Sequence, residues 1–158
     1  MIQNPEGFLV ERVCSVDDTV RWWPFLAEGL AVLNQIPKDG AGITKEAFLS
    51  TVVTATADPE RNIVAVVKSK NGKPLHFGIV VDNSLLLSPP SLLIYASYSN
   101  GKSKTVTKWA LQWLEDWARE HGYAQLEAFS MRITGASFRL FERGWGFRRK
   151  SVLFTKTI

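Results

Sequence analysis

The chain has 158 residues, 46% hydrophobic and 22% charged, the profile of one folded domain spanning 1–158 rather than of a disordered chain. Its formal charge of +4 is mild, and its single cysteine, Cys14, excludes an internal disulfide and a thiolate metal site. No basic leader runs into an apolar segment and no apolar stretch is long enough to span a bilayer, so a soluble, cytoplasmic protein with no membrane partner is expected.

The first element is a strand in "GFLVERV", Gly7–Val13, where apolar residues alternate in part. A helix follows from Ser15, with Asp17 and Asp18 in its first turn; Pro24 predicts either a kink there or two short helices. Thr44 is set to cap a second helix that ends before Pro59. Two apolar runs then flank Asn71-Gly72, the strongest hairpin signal in the chain. After the loop "NSLLLSPP" comes a fourth strand, "SLLIYASY". The helix behind it carries Val106, Trp109, Ala110, Trp113, Leu114, Trp117 and Ala118 at spacings of three and four, a stripe made to pack on a sheet. Gly122 stops that helix, and "YAQLEAFSMR" is a fifth strand. "GASFRLFER" is a short helix with Gly144 just past its end, and "RRKSVLFTKTI" closes the chain as a strand. The order is α/β, with an antiparallel hairpin in its first half and a βαβ unit in its second.

Residues Ala96–Ser103, "ASYSNGKS", match the loose form of the phosphate-loop pattern G-x-x-x-x-G-K-S/T. The context is wrong for it. Such a loop belongs after the first strand of a parallel sheet, with a carboxylate at a strand end to hold magnesium. Here the pattern follows the fourth strand, and Glu127, the one downstream candidate, falls mid-strand. Lys102, Lys104 and Lys108 nevertheless gather at the start of one helix, and Arg143, Arg148, Arg149 and Lys150 near the C-terminus. Either cluster is a solvated basic face or a site for an anionic ligand.

"LEDWAREHGYAQLEAF" and "ASFRLFERGWGFRR", in that order and spacing, resemble segments of the GCN5-related N-acetyltransferase (GNAT) superfamily: the third helix entering the fifth strand, then the fourth helix and its Gly-Phe turn. The likeness covers nearly the whole chain as topology and is specific as motif from about Trp109 onward. It implies the GNAT (acyl-CoA N-acyltransferase) fold, a mixed central sheet with helices on both faces, and acetyl-coenzyme A as cofactor. In that family the turn between the fourth strand and third helix carries Q/R-x-x-G-x-G/A and holds the cofactor's pyrophosphate. Counting back from Gly122-Tyr123, the matching positions are Lys102, Ser103, Lys104, Thr105, Val106 and Thr107. Lys102 stands for the Gln or Arg, and threonines replace both small residues. Glycine admits positive φ and close approach of a ligand, and threonine disfavours both, so hydroxyls and lysines would have to hold the phosphates, or binding is weakened or lost.

The resemblance also implies a carboxylate base near the fourth strand and a tyrosine acid on the fourth helix. "SLLIYASY" contains no carboxylate, and the tyrosine position falls on Glu142 by count or Phe141 by likeness. Asp82, Tyr98 and Glu142 are therefore the catalytic candidates, with Tyr95 and His76 behind them. Each has a structural alternative: Asp82 as a turn residue, the tyrosines as half-buried sheet residues, His76 as a core histidine. No metal is expected.

"NGKSK" and "RWWPFLAEGLAVLNQ" are similar to GNAT-like proteins of tailed bacteriophages, some of them virion-associated. Two functions follow. One is acetyl-CoA-dependent transfer to an amine on a small molecule or protein. The other is a catalytically inactive structural or host-interaction module, located in a virion or host cytoplasm, with a viral or host protein partner. No reading motif for nucleic acid accompanies the basic clusters.

Overall fold

The computed structural model describes residue 4 and residues 6–35, 42–84, 89–101, 104–128 and 139–148. Lys102, Ser103, the tip of "NSLLLSPP", the fifth strand past residue 128 and the closing strand "SVLFTKTI" lie outside the described residues. Five strands form one sheet in the order β1 (Leu9–Arg12), β2 (Ile63–Lys68), β3 (Pro74–Asp82), β4 (Ser91–Ser99) and β5 (Gln125–Ala128). The first four are antiparallel neighbours, and β5 runs parallel to β4. That parallel pair is made by the crossover helix α3, Lys104–Glu120.

Helices cover both faces, as the α/β order demands. On one side α1 (Val16–Leu33) and α2 (Lys45–Ala57) place Phe25, Leu26, Leu30, Phe48 and Val52 against Val64, Val66, Phe77, Ile79 and Ala96 of the sheet. On the other, α3 lays Val106, Ala110, Leu114, Trp117 and Ala118 over Phe8, Val67, Ile63, Ala65, Val80 and Leu92. The uninterrupted apolar run of β2 follows from this: Ile63 to Val67 are all buried because both faces are covered.

Caps and turns match their sequence signals. The Ser15 and Thr44 hydroxyls accept the amides of Asp18 and Ala47, each at 3.1 Å. The hairpin at Asn71-Gly72 has the Gly72 amide on the Ser69 carbonyl and Gly72 in the left-handed region at φ 78°. Pro24 does not divide α1: one helix runs from Val16 to Leu33. The proline removes one donor, which would have met the carbonyl of Val20 on the exposed side, where water serves; Phe25 and Leu26 clamp the helix to the sheet beside it. The last described element is a π-helical turn, Leu140–Gly144, which includes Gly144 rather than stopping before it.

Candidate active site at the far end of the fourth strand

Two features set the end of β4 apart. The ladder with β3 shifts at Tyr95: Ile79 faces Ala96 while Val80 faces Ile94, so Tyr95 is the extra residue of a bulge. Beyond the bulge, β4 runs on to Ser99 and leads into α3. This also disposes of the phosphate-loop pattern. Its first four residues, Ala96–Ser99, are paired in the ladder opposite Ile79, Gly78, Phe77 and His76, and cannot wrap a phosphate.

The loop positions inferred from the family pattern divide by role. Lys104, Thr105, Val106 and Thr107 form the first turn of α3. Val106 is a core residue packed near Phe8 and Val67, and Thr105 faces solvent. Thr107 turns its hydroxyl back to the sheet, 2.8 Å from Ser99 Oγ, and Ser99 Oγ is 2.7 Å from His76 Nδ1. His76 is buried, and burial lowers its pKa to about 4, which keeps it neutral at physiological pH. It acts as a hydrogen-bonding group, not a charge. Beside this turn, Lys108, Leu111, Gln112 and Glu115 of α3 and Gly144 and Trp145 line a cleft of about 190 Å³.

On the opposite face, the bulge leaves Tyr95 and Tyr98 both packed toward α1 and α2. Tyr98 packs among Phe25 and Phe77, and its hydroxyl donates to Glu28 Oε1 at 2.7 Å. Burial, then the Glu28 hydrogen bond and charge, push its pKa up to about 12. The phenol therefore stays protonated and is a donor rather than a base. Glu28, an exposed carboxylate on α1, is the acidic group that this bond holds at the end of β4.

The expected catalytic trio is not assembled. Asp82 sits opposite Leu92, five residues along β3 from the partner of Tyr98, or roughly 17 Å at the usual strand rise. There Arg61 binds it through two nitrogens, at 2.8 and 2.5 Å, and it accepts the Ser84 amide. Burial alone would raise its pKa, but the Ser84 and Arg61 bonds outweigh that and hold it low. Asp82 anchors a turn. Glu142 lies exposed on the π-helical turn, and Phe141 beside it packs on Trp145 and Phe147. Motif and spacing alone do not single out Glu28, Ser97 or Ser99, which the fold brings to this end of β4.

Gly29 explains how α1 comes close enough for Glu28 to reach Tyr98. A Cβ at this position would lie 2.2 Å from Phe77 Cε1 and 2.8 Å from Tyr98 Cδ1. Gly29→Ala, normally favourable in a helix, should instead cost on the order of 2 kcal/mol, because both rings are fixed by packing. Urea denaturation checks the sign: an alanine protein as stable as wild type would mean that α1 shifts freely and does not hold this geometry.

No family model and no curated protein matches the chain. Solved structures do. Glucosamine-6-phosphate N-acetyltransferase from Arabidopsis thaliana aligns with a TM-score of 0.65 at 17% identity, covering 96% of this chain and 99% of its own. Ribosomal-protein-alanine N-acetyltransferase from Brucella melitensis biovar Abortus 2308 aligns at 0.66 and 14% identity, with 96% and 99% covered. An aminoglycoside N-acetyltransferase in complex with CoA aligns at 0.67 and 12% identity, covering 98% and 99%. The chain has the GNAT fold over nearly its full length. Among the described residues no His, Cys, Asp or Glu cluster could hold a metal, and no helix is long and apolar enough to cross a membrane.

Proposed function

We propose that the protein is an acetyl-CoA-dependent N-acetyltransferase that works at the Tyr95–Ser99 end of β4. The observation that carries this reading is the bulge at Tyr95, with the Tyr98–Glu28 hydrogen bond beyond it. At this end β4 leads into α3 on one face of the sheet, and on the other Tyr98 holds the Glu28 carboxylate. When bound, acetyl-CoA supplies an activated acetyl group, which becomes an amide on the acceptor amine as the thiol is released. The residues present fit that cofactor. The N-terminal end of the 17-residue α3 is electropositive, and the cleft alongside offers the Lys108 cation for phosphate and the Trp145 ring for a base, with the Glu115 carboxylate also in its lining. Glu28 accepts the proton that the amine gives up, and Tyr98 holds the carboxylate in place. The acceptor is an amine on a small molecule or protein.

Calorimetric titration with acetyl-CoA, using ATP–magnesium as control, tests the reading. Saturable binding of acetyl-CoA alone is expected. Thr105→Asp should weaken it about tenfold or more, since a carboxylate in the first turn favours the helix but repels a pyrophosphate. Binding of ATP instead would restore the phosphate-loop interpretation. Binding of neither by folded protein would leave the fold as an interaction module, and the search would turn to a viral or host protein partner.

A further inference from the structure

Gly78 lies in the middle of β3, opposite Ala65 of β2 on one side and Ser97 of β4 on the other. Directly opposed residues share a face, so these three small residues form a row on the α3 side of the sheet. Neither usual structural reason for a glycine holds here. Its backbone is not in the left-handed region, where Gly7, Gly72, Gly122 and Gly146 sit. Unlike at Gly29, no atom among the described residues lies within 4 Å of the place a Cβ would take. Glycine inside a strand weakens it, and where no part of the chain needs the room, it marks close approach by another molecule.

The surroundings of the row agree. Gly78 is half-buried and Ser97 is exposed, although both belong to inner strands of a sheet covered by helices on both faces. His76, two residues along β3 on the same face, is only 6% exposed. Its Nδ1 lies 2.7 Å from Ser99 Oγ, but its Nε2 is 3.5 Å from Ser97 Oγ, too long for a strong bond. A buried ring nitrogen is thus turned toward the open row without a well-formed partner.

We propose that the space over Gly78 holds the acyl chain of the donor, and that the donors this protein takes include short 3-hydroxyacyl-CoA thioesters. The inference rests on the acyltransferase reading above, in which the donor reaches β4 from the α3 side and the amine from the Glu28 side. Ser97 is the middle residue of Tyr95–Ser99, and side chains alternate along a strand, so Ser97 points away from Tyr98 and Glu28. An acyl chain that continues from the thioester on that side runs over Gly78, where a side chain would block it. Neighbouring strands lie about 4.8 Å apart, close to the length of a three- or four-carbon chain. A hydroxyl on the third carbon both donates and accepts, so it bridges Ser97 Oγ and His76 Nε2 whichever ring nitrogen carries the proton. A plain alkyl chain would press against that nitrogen and leave it unpaired. The bonds are those of acetyl transfer: the amide C–N bond forms and the C–S bond breaks. The amine's proton passes to Glu28, and the thiolate takes one from solvent.

Calorimetric titration of the full-length protein with acetyl-CoA, butyryl-CoA and 3-hydroxybutyryl-CoA tests this without an acceptor. The 3-hydroxybutyryl thioester should bind at least as tightly as acetyl-CoA and about tenfold more tightly than butyryl-CoA. Gly78→Val should lower the affinity for 3-hydroxybutyryl-CoA relative to acetyl-CoA about tenfold or more. Valine suits a strand and enters open space, so this protein should fold, with a urea midpoint no lower than wild type. Ser97→Ala should erase the advantage of 3-hydroxybutyryl-CoA over butyryl-CoA. Wild-type protein that binds 3-hydroxybutyryl-CoA no better than butyryl-CoA overturns the inference while the acyltransferase reading stands. So does a Gly78→Val protein that weakens acetyl-CoA and 3-hydroxybutyryl-CoA alike, since the space would then be a passage for the donor's arm. Folded wild-type protein that binds none of the three overturns both.

Discussion

Glu28→Gln protein should transfer acetyl groups about a hundredfold more slowly than wild type while binding acetyl-CoA equally well. A positioned general base is worth about 10²–10⁴-fold, and the lower end suits an exposed carboxylate that has water competing for the same proton. Glutamine keeps the shape, and its carbonyl still accepts from the Tyr98 hydroxyl 2.7 Å away in the native protein, so α1 and β4 stay joined. The loss should fall on kcat and kcat/KM together, the pattern of an interaction that matters in the transition state. Tyr98→Phe should cost less, because the phenol, with its pKa pushed up to about 12, moves no proton at neutral pH and only steadies the carboxylate. A Glu28→Gln protein with wild-type kcat would strip Glu28 of its role and leave it as the anchor of Tyr98.

Elements whose causes are local are legible in the sequence. Ser15 and Thr44 cap the helices they precede, Gly122 takes φ 79° where α3 stops, and the stripe from Val106 to Ala118 packs on the sheet. In each case the residue acts within a turn or two of its own position, so spacing alone carries the information. The site is harder to read because its bonds join distant parts of the chain. Tyr98 and Glu28 are 70 residues apart, and His76 and Ser99 are 23 apart. One signal is present: Gly29 in the middle of an otherwise good helix, a residue that costs stability unless something must come close. Its neighbour Glu28 is the residue such a glycine points to. Asp82 misleads because an acid at a strand end looks equally suited to catalysis and to a turn; only its contact with Arg61 separates the two. The bulge at Tyr95 has no sequence mark of its own, because both Ile94 and Tyr95 are good strand residues.

The protein should lose stability on mild acidification, and His76 should be the cause. The sign follows from the direction of the shift. Its pKa falls from 6.5 to about 4 on burial, so between those values the unfolded chain binds a proton that the folded chain refuses. Stability is therefore complete above pH 6.5, declines as pH falls toward 4 and levels off below. The loss should reach about 2 kcal/mol at pH 5 and about 3 kcal/mol at pH 4. The lowered carboxyl groups Glu11, Asp18 and Asp82 begin to contribute only near their unfolded values of 4.5 and 3.8, so the interval from pH 6.5 to 5 isolates the imidazole from them. Urea titrations across that interval should give a steep line for wild type and a much flatter one for His76→Gln, which keeps a donor and an acceptor but does not titrate. A wild-type line as flat as the variant's would mean that the imidazole charges in place.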